Sequence, residues 1–453
     1  MSAPVLPEVR PAAQGAAAQP SLGRRQVHAV AGCYFVASFA ALGLPPYFTE
    51  ILPSLGDRTA QWAGVLYIVP TLFAAVGAPV WGRLADRFGR KRLLLRAQLG
   101  LTLSFLIAGW ADSLATFTAA LVLQGILGGT FAASNGYLGA ALEGPALSKA
   151  LTLMQGAARA ALVLAPIVVG SLSPWVSPHR QYALLAVLPL TAALLIAALP
   201  ESRGPSRREG TGQPTDPAVA ENAAASAGRP TGPAAAGDAD PLTGQLTVPA
   251  VAEGEAASAA AALRTPLAAL YALEFAFVFS TVISFPYLMT LIEQRIPGTS
   301  PALAGVLFAL PHLCYLLTAM AVHSAFHRRP RLGIALGFTC IALGLAGHGP
   351  ADSLFALTAV RLLLGAGLTL GLVCLSVLAA ECAKGRSPGG LFGSIEFFSK
   401  AGAVAAGVAA AAGNNLFGPD APVLTGTAVA VVTVCAVALS SLNLRSLRIR
   451  WSR

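Results

Sequence analysis

Six ionisable side chains lie inside long apolar stretches of this sequence and are its first candidates for chemistry. They are Arg159, Glu274, His312, Arg361, Glu396 and Lys400. Charged groups are costly to bury in an apolar environment, so they persist mainly where they bind a ligand, carry a proton or neutralise one another. The available chemistry is therefore reversible proton binding by the carboxylates and charge recognition by the cations.

The spacing of these groups distinguishes paired from lone charges. Glu396 and Lys400 are four residues apart and share a helix face; they form either a structural pair or a cavity wall in which Glu396 takes a proton. Glu274 has no cation within one helical turn, which makes it a candidate proton carrier. The alternative is a structural partner for Arg159 or Lys400. His312 is either a satisfied core group or a titrating one.

Composition defines the class of protein. The chain is 55% hydrophobic and 11% charged, with a mean hydropathy of +0.67, whereas a soluble domain carries about 25% charge. These values predict an integral membrane protein. The six cysteines show no metal-ligand spacing. No His-Glu-x-x-His or Gly-x-Ser-x-Gly motif occurs in the apolar stretches, which argues against an enzyme.

Twelve apolar runs are each long enough to cross a bilayer, which needs roughly 20 residues. They predict an all-α membrane protein with two six-helix bundles, residues 27–199 and 265–443. A disordered tail (1–26), a cytoplasmic linker (200–264) and a basic cytoplasmic tail (444–453) complete the chain. The runs are 27–48, 62–81, 93–111, 114–142, 148–172, 181–199, 266–292, 302–323, 332–349, 353–381, 388–413 and 422–443.

The distribution of positive charge predicts the orientation. Of the 30 lysines and arginines, 24 lie at one set of loops and termini, and only Arg58, Arg180 and Arg295 lie on the opposite side. Because cytoplasmic loops carry the excess of positive charge, both termini are predicted to be cytoplasmic.

An internal repeat relates the two halves. AGVLYIVPTL (63–72) recurs as AGVLFALPHL (304–313), 241 residues later. Three further matches keep an offset of 240: Pro46-Tyr47 with Pro286-Tyr287, Asp112-Ser113-Leu114 with Asp352-Ser353-Leu354, and Gly125 with Gly365. A parallel duplication of this kind predicts a substrate site between the halves, near the membrane midplane.

The stretch GRLADRFGRKRL, Gly82 to Leu93, resembles the signature loop of the major facilitator superfamily. Its glycines, Gly82 and Gly89, allow tight turns, and the motif residues carried over are Asp86, Arg87, Arg90 and Lys91. The resemblance covers residues 27–443 and implies two pseudo-symmetric bundles. It also implies that Asp86 closes a cytoplasmic gate by docking on Ser387-Pro388-Gly389. The alternative is that the basic cluster only sets topology and binds anionic lipid.

Two weaker resemblances bear on the direction of transport. Ala165-Pro166 with Gly170 resembles the Gly-Pro-x-x-Gly-Gly motif of the drug:proton antiporter branch, although Ala165 and Ser171 replace two glycines; plain helix packing is the alternative. Arg361 with Gly365 resembles the family's fourth-helix Arg-x-x-Gln-Gly motif, placed in the tenth run.

These observations predict a secondary transporter of the inner membrane that exports small amphiphilic molecules, such as drugs, siderophores or metabolites, against protons. The alternative is a facilitator or importer of sugars or organic acids on the same scaffold. We expect no cofactor, metal or nucleic-acid partner. The expected partners are the lipid bilayer, protons and a small-molecule substrate, and the protein is expected to be monomeric.

Overall fold

The structure is a computed structural model that describes residues 23–129, 133–134, 137–138, 142, 144–198, 267–383 and 388–451. All regular secondary structure within these ranges is helical, which confirms the predicted all-α class. The predicted linker, 200–264, and all but the last four residues of the predicted N-terminal tail lie outside the described residues.

Apart from helical residues at 133–134 and 137–138, the helices of the described chain group into twelve segments that overlap the predicted runs in order. Two of them, α1 and α7, are interrupted by a short 3₁₀ turn that contains a proline. Proline lacks the N–H that would continue a helix. The segments are α1 (Arg24–Gly43, continued by Pro45–Tyr47, Phe48–Ile51 and Leu52–Leu55), α2 (Ala63–Phe88), α3 (Arg90–Gly109), α4 (Leu114–Leu127), α5 (Gly144–Leu172), α6 (Pro178–Leu185 and Val187–Ala198), α7 (Leu267–Val282, Phe285–Tyr287 and Leu288–Arg295), α8 (Pro301–Phe326), α9 (Pro330–Ala346), α10 (Leu354–Ala383), α11 (Pro388–Phe417) and α12 (Ala421–Trp451).

The outer surface is suited to lipid. Nine helices of the described chain are long and apolar enough to cross a membrane, and the apolar parts of α2, α4 and α9 are shorter. Large apolar side chains are exposed, including Leu317 (74%), Met320 (80%) and Phe355 (85%). A soluble protein avoids extended apolar surface of this kind, so the chain is a multi-pass membrane protein.

The prediction of one continuous helix over 114–142 is wrong. α4 ends at Leu127, Gly128 leaves the helical region with ψ −135°, and Gly129 has φ +84°. Glycine reaches these conformations without a steric penalty. The hydropathy of the run gave no sign of the break, because glycine is also common in membrane helices that pack closely.

The helix boundaries near the signature stretch also differ from the prediction. α2 continues through Gly82 to Phe88, so the predicted turn at Gly82 is wrong. The turn lies at Gly89, which has φ +93° and separates α2 from α3. At the other end of the chain, α12 continues past residue 443 to Trp451.

The repeat corresponds to equivalent local structure in the two halves. Ser113 caps α4 by accepting a hydrogen bond from Thr116 N at 3.2 Å, and Ser353 caps α10 by accepting one from Ala356 N at 3.2 Å. Both caps satisfy a free N–H at a helix start. A Cβ at Gly125 would lie 2.6 Å from Pro70 O on α2. At Gly365, 240 residues later, it would lie 2.9 Å from Pro311 Cα on α8.

Candidate functional site

A cavity of about 210 Å³ lies between helices of the two halves. Its wall draws on α1 to α5 from the first half and on α7, α8 and α11 from the second. Its polar groups include Thr71, Gln124 and Lys400, and Phe285 and Phe308 line it from the second half. This position, between the two copies of the repeat, is where the duplication predicts a substrate site.

The predicted pair on α11 is formed. Lys400 Nζ lies 3.0 Å from Glu396 Oε1, and the two side chains are 41% and 46% exposed. A pair this exposed contributes little to stability, because water competes for both charges. Since Lys400 also lines the cavity, the pair places one cation and one carboxylate beside it.

Glu274 lies on α7, next to α11. Its carboxylate interacts with the Ser399 side chain and with the charges of Glu396 and Arg159. Ser399 had not been predicted; it lies between the two members of the charged pair, directly before Lys400. The structure therefore brings Glu274, Glu396 and Arg159 into one electrostatic cluster that joins α7 and α11 of the second half to α5 of the first.

Arg159 and His312 join the halves directly. Arg159 Nη1 lies 3.4 Å from His312 Nδ1, and the guanidinium carbon lies 5.5 Å from the centre of the Tyr315 ring. His312 is 1% exposed, and its ring is 5.9 Å from those of Phe285 and Phe308, which line the cavity. Sequence reasoning found both residues but not their pairing, because they are 153 positions apart.

Arg361 serves the α8 backbone near His312, with which its charge also interacts. It is completely buried, and it donates to Leu307 O from Nε at 2.8 Å and to Phe308 O from Nη2 at 2.9 Å. Pro311 has no N–H, so Leu307 O lacks its usual helical donor. Arg361 supplies that donor, a role indicated in the sequence by a proline four residues after Leu307.

The predicted fifth-helix motif forms a close crossing of α5 and α8. A Cβ at Gly170 would overlap Pro301 O, and one at Gly305 would overlap Pro166 O. The Tyr47 hydroxyl, on the turn that extends α1, donates toward Pro166 O at 2.6 Å and toward Pro301 O at 3.1 Å. We call these contacts the α5–α8 crossing.

The repeat places a second crossing between α2 and α11. A Cβ at Gly64 would lie 2.7 Å from Gly407 O, and a Cβ at Gly407 would overlap the side chain of Ile68. The Tyr287 hydroxyl, on the turn of α7, accepts from Gly64 N at 3.2 Å and donates to Gln61 O at 3.3 Å. We call these contacts the α2–α11 crossing. Neither tyrosine was among the predicted functional residues, although both belong to the Pro-Tyr repeat.

The predicted cytoplasmic gate is only partly described. The side chains of Asp86 and Arg90 and those at the start of α11 lie outside the described residues, so docking of Asp86 stays a prediction. Lys91 Nζ donates to Ala197 O at the end of α6, 2.9 Å away. Arg87 is exposed, beside the Phe88 ring.

Comparison with known proteins supports one family. The model of the Major Facilitator Superfamily matches residues 30–298. "Multidrug resistance protein MdtG" of Serratia proteamaculans is 32% identical over 169 residues, and that of Yersinia enterocolitica is 34% identical over 170. These stretches cover 36% and 37% of this chain and 39% of each relative. The alignments therefore span about two fifths of the curated relatives.

Solved structures share the fold over almost the whole chain. A POT family transporter in complex with 5-aminolevulinic acid superposes with a TM-score of 0.66 at 12% identity, covering 93% of this chain and 96% of that one. A D-xylose–proton symporter gives 0.63 at 14%, covering 91% and 95%. At these identities the likeness concerns the fold alone.

Proposed function

The chain belongs to the Major Facilitator Superfamily, and from this premise we propose that it is a proton-coupled exporter of small amphiphilic molecules, including drugs, siderophores or other metabolites. The observation that carries the proposal is the cluster of Glu274, Glu396, Lys400 and Arg159, which reaches a cavity between the two halves through Lys400. Buried ionisable groups at membrane depth are the usual carriers of coupling ions.

The direction of transport is supported by two features. The relatives matched over two fifths of their length are named multidrug resistance proteins. Pro166 and Gly170 also belong to the stretch that resembles the antiporter motif, and in the structure they make the packing contacts of the α5–α8 crossing. Both features favour export over uptake.

The proposed mechanism is alternating access. The two crossings close the cavity at one end, and the positive-charge bias assigns that end to the outside. Separating α5 from α8 and α2 from α11 opens it there, while the stretch around Asp86 closes the cytoplasmic end. Glu274 takes a proton in the outward-open state and releases it in the inward-open state, and the substrate moves in the opposite direction.

The proposed setting is the inner membrane of a bacterial cell, with both termini in the cytoplasm and the protein acting as a monomer. Its partners are the bilayer, protons and the exported molecule. The bias of 24 cations to one side against three on the other supports this orientation.

The test is dye export by the purified protein in inside-out proteoliposomes. With an acidic interior, the wild type is expected to accumulate a fluorescent amphiphilic dye. Collapsing the proton gradient should abolish the accumulation. Glu274→Gln, which cannot exchange a proton, should reduce it to the level of empty vesicles.

Glu381→Gln is the matched control, since Glu381 is an exposed carboxylate at the end of α10. It should accumulate dye at the wild-type rate. Accumulation by Glu274→Gln equal to that of the control would remove Glu274 from the mechanism. If the dye only equilibrates across the membrane, at a rate independent of the proton gradient, the protein is instead a facilitator.

A further inference from the structure

The contact between Arg159 and His312 fixes the tautomer of the histidine. A guanidinium has donors only, so His312 Nδ1, 3.4 Å from Arg159 Nη1, acts as the acceptor. The neutral imidazole then carries its proton on Nε2. That Nε2 is buried and has no hydrogen-bond partner.

Two buried donors are thus left without an acceptor. Arg159 Nε is also buried and unpartnered, and within the described residues no carboxylate lies within ion-pair distance of Arg159. Leaving a buried donor without a hydrogen bond costs about 1–3 kcal/mol, and more for a charged group. An oxyanion is an acceptor suited to a guanidinium donor such as Arg159 Nε and to an imidazole donor such as His312 Nε2.

A carboxylate faces the same region from another helix. Glu274, on α7, interacts electrostatically with Arg159 on α5 without forming an ion pair with it. The two opposite charges are therefore held apart. Aromatic rings are present on both sides: Tyr315 lies near Arg159, and Tyr271 on α7 stacks on Phe398 of α11 with ring centres 4.9 Å apart.

We propose that the exported molecules are zwitterionic amphiphiles that bridge these two charges. The oxyanion of the substrate binds Arg159 and His312, its amine binds Glu274, and its apolar body packs on the aromatic rings. This inference rests on the proposed function and specifies its substrate class.

The arrangement gives exchange with protons a physical basis. A proton on Glu274 removes the negative charge that holds the amine, so proton and amine compete for one group. An oxyanion alone would behave in the opposite way, because a protonated Glu274 no longer competes with it for Arg159. The amine is therefore the part of the substrate that links binding to the proton.

The test is equilibrium binding to the purified full-length protein, with three radiolabelled probes. They are phenylalanine, its methyl ester, which lacks the anion, and N-acetylphenylalanine, which lacks the cation. The wild type should bind phenylalanine more tightly than either derivative. Arg159→Gln should weaken phenylalanine and N-acetylphenylalanine on the order of tenfold, the usual effect of one lost charge-assisted hydrogen bond, and leave the ester unchanged.

Reciprocal variants complete the design. Glu274→Gln should weaken the ester and phenylalanine but not N-acetylphenylalanine, and Arg159→Lys should partly restore binding of the anion. Arg58→Gln, an exposed arginine between α1 and α2, is the control and should bind all three probes normally.

Equal affinity for all three probes, no binding of any of them, or undiminished binding of N-acetylphenylalanine by Arg159→Gln would each overturn the zwitterion assignment. Proton-driven dye export would survive those results. If the wild type and its variants show the predicted binding pattern but the wild type does not accumulate dye in response to the proton gradient, the coupled-export proposal is overturned instead. The two failures are therefore distinguishable.

Discussion

The α5–α8 and α2–α11 crossings come from the same repeated sequence but are held with different strength. Tyr47 is completely buried, and its hydroxyl bridges carbonyls on two helices, Pro166 O at 2.6 Å and Pro301 O at 3.1 Å. The Tyr287 hydroxyl forms its hydrogen bonds at the beginning of α2, with Gly64 N at 3.2 Å and Gln61 O at 3.3 Å. The polar contact from α11 is Asn415 Nδ2, which donates to Gln61 O at 3.3 Å.

The atoms that a Cβ would meet at the glycines also indicate a more rigid contact at the α5–α8 crossing. At Gly170 the obstacle is the carbonyl of Pro301, which is backbone and cannot turn away. At Gly407 the nearest obstacle is a methyl group of Ile68, which can change rotamer, and the backbone obstacle, Gly64 O, is farther away at 2.8 Å. The helices therefore approach closely at both crossings, and the α5–α8 crossing has the more rigid contact.

Alanine substitutions at these glycines should give the largest effects. Gly170→Ala places a methyl group on backbone atoms and should destabilise the protein by about 1–3 kcal/mol, as overpacking usually does. Gly407→Ala should cost less, because Ile68 can move and the backbone carbonyl of Gly64 is approached less closely, at 2.8 Å. Thermal unfolding in detergent measures both, and export in vesicles should fall in the same order.

Gly156→Ala is the matched control on α5, since nothing lies within 4 Å of an added Cβ there. It should be neutral, or stabilising by up to about 1 kcal/mol through helix propensity. A Gly170→Ala protein as stable as this control would mean that α5 and α8 are not in close contact in the membrane.

Removing one hydroxyl should give a smaller but still unequal effect. Tyr47→Phe loses the bonds to two helices and should cost about 1 kcal/mol. Tyr287→Phe loses longer bonds and should cost less. Accessibility of single cysteines placed at the α1–α2 connection should rise more in Tyr47→Phe. A larger loss of stability in Tyr287→Phe than in Tyr47→Phe would contradict the conclusion that the α5–α8 crossing is held more strongly.

The sequence predicted the crossings only in part. The offset of 240 to 241 residues correctly related Gly64 to Gly305 and Tyr47 to Tyr287, because a repeated sequence can be recognised from the order of residues alone. It did not reveal that these residues meet across the halves, since that depends on how the helices pack. Hydropathy located the twelve segments but not the break at Gly129, which depends on a backbone conformation and not on polarity.

The charged residues show the same limit. The apolar runs placed all six on helices but did not predict their burial, since Glu396 and Lys400 are 46% and 41% exposed. Their partners did not follow: Arg361 is 54 residues from Leu307 O, and Arg159 is 153 from His312. Which buried charge serves the backbone and which faces a ligand is decided by the tertiary structure. For Arg361 the local signal was Pro311, which frees a carbonyl on α8.

The smallest expected effect concerns Asn415, and a double-mutant cycle makes it measurable. Asn415→Ala alone should change stability by less than about 0.5 kcal/mol, because the bond is long and exposed. Asn415 and Tyr287 donate to the same acceptor, Gln61 O. The double variant with Tyr287→Phe should therefore cost more than the sum of the two single variants, since only then does the carbonyl lose both donors. Additive costs would show that the two side chains act independently, and that α2 is held to α7 and α11 by separate contacts instead of one shared carbonyl.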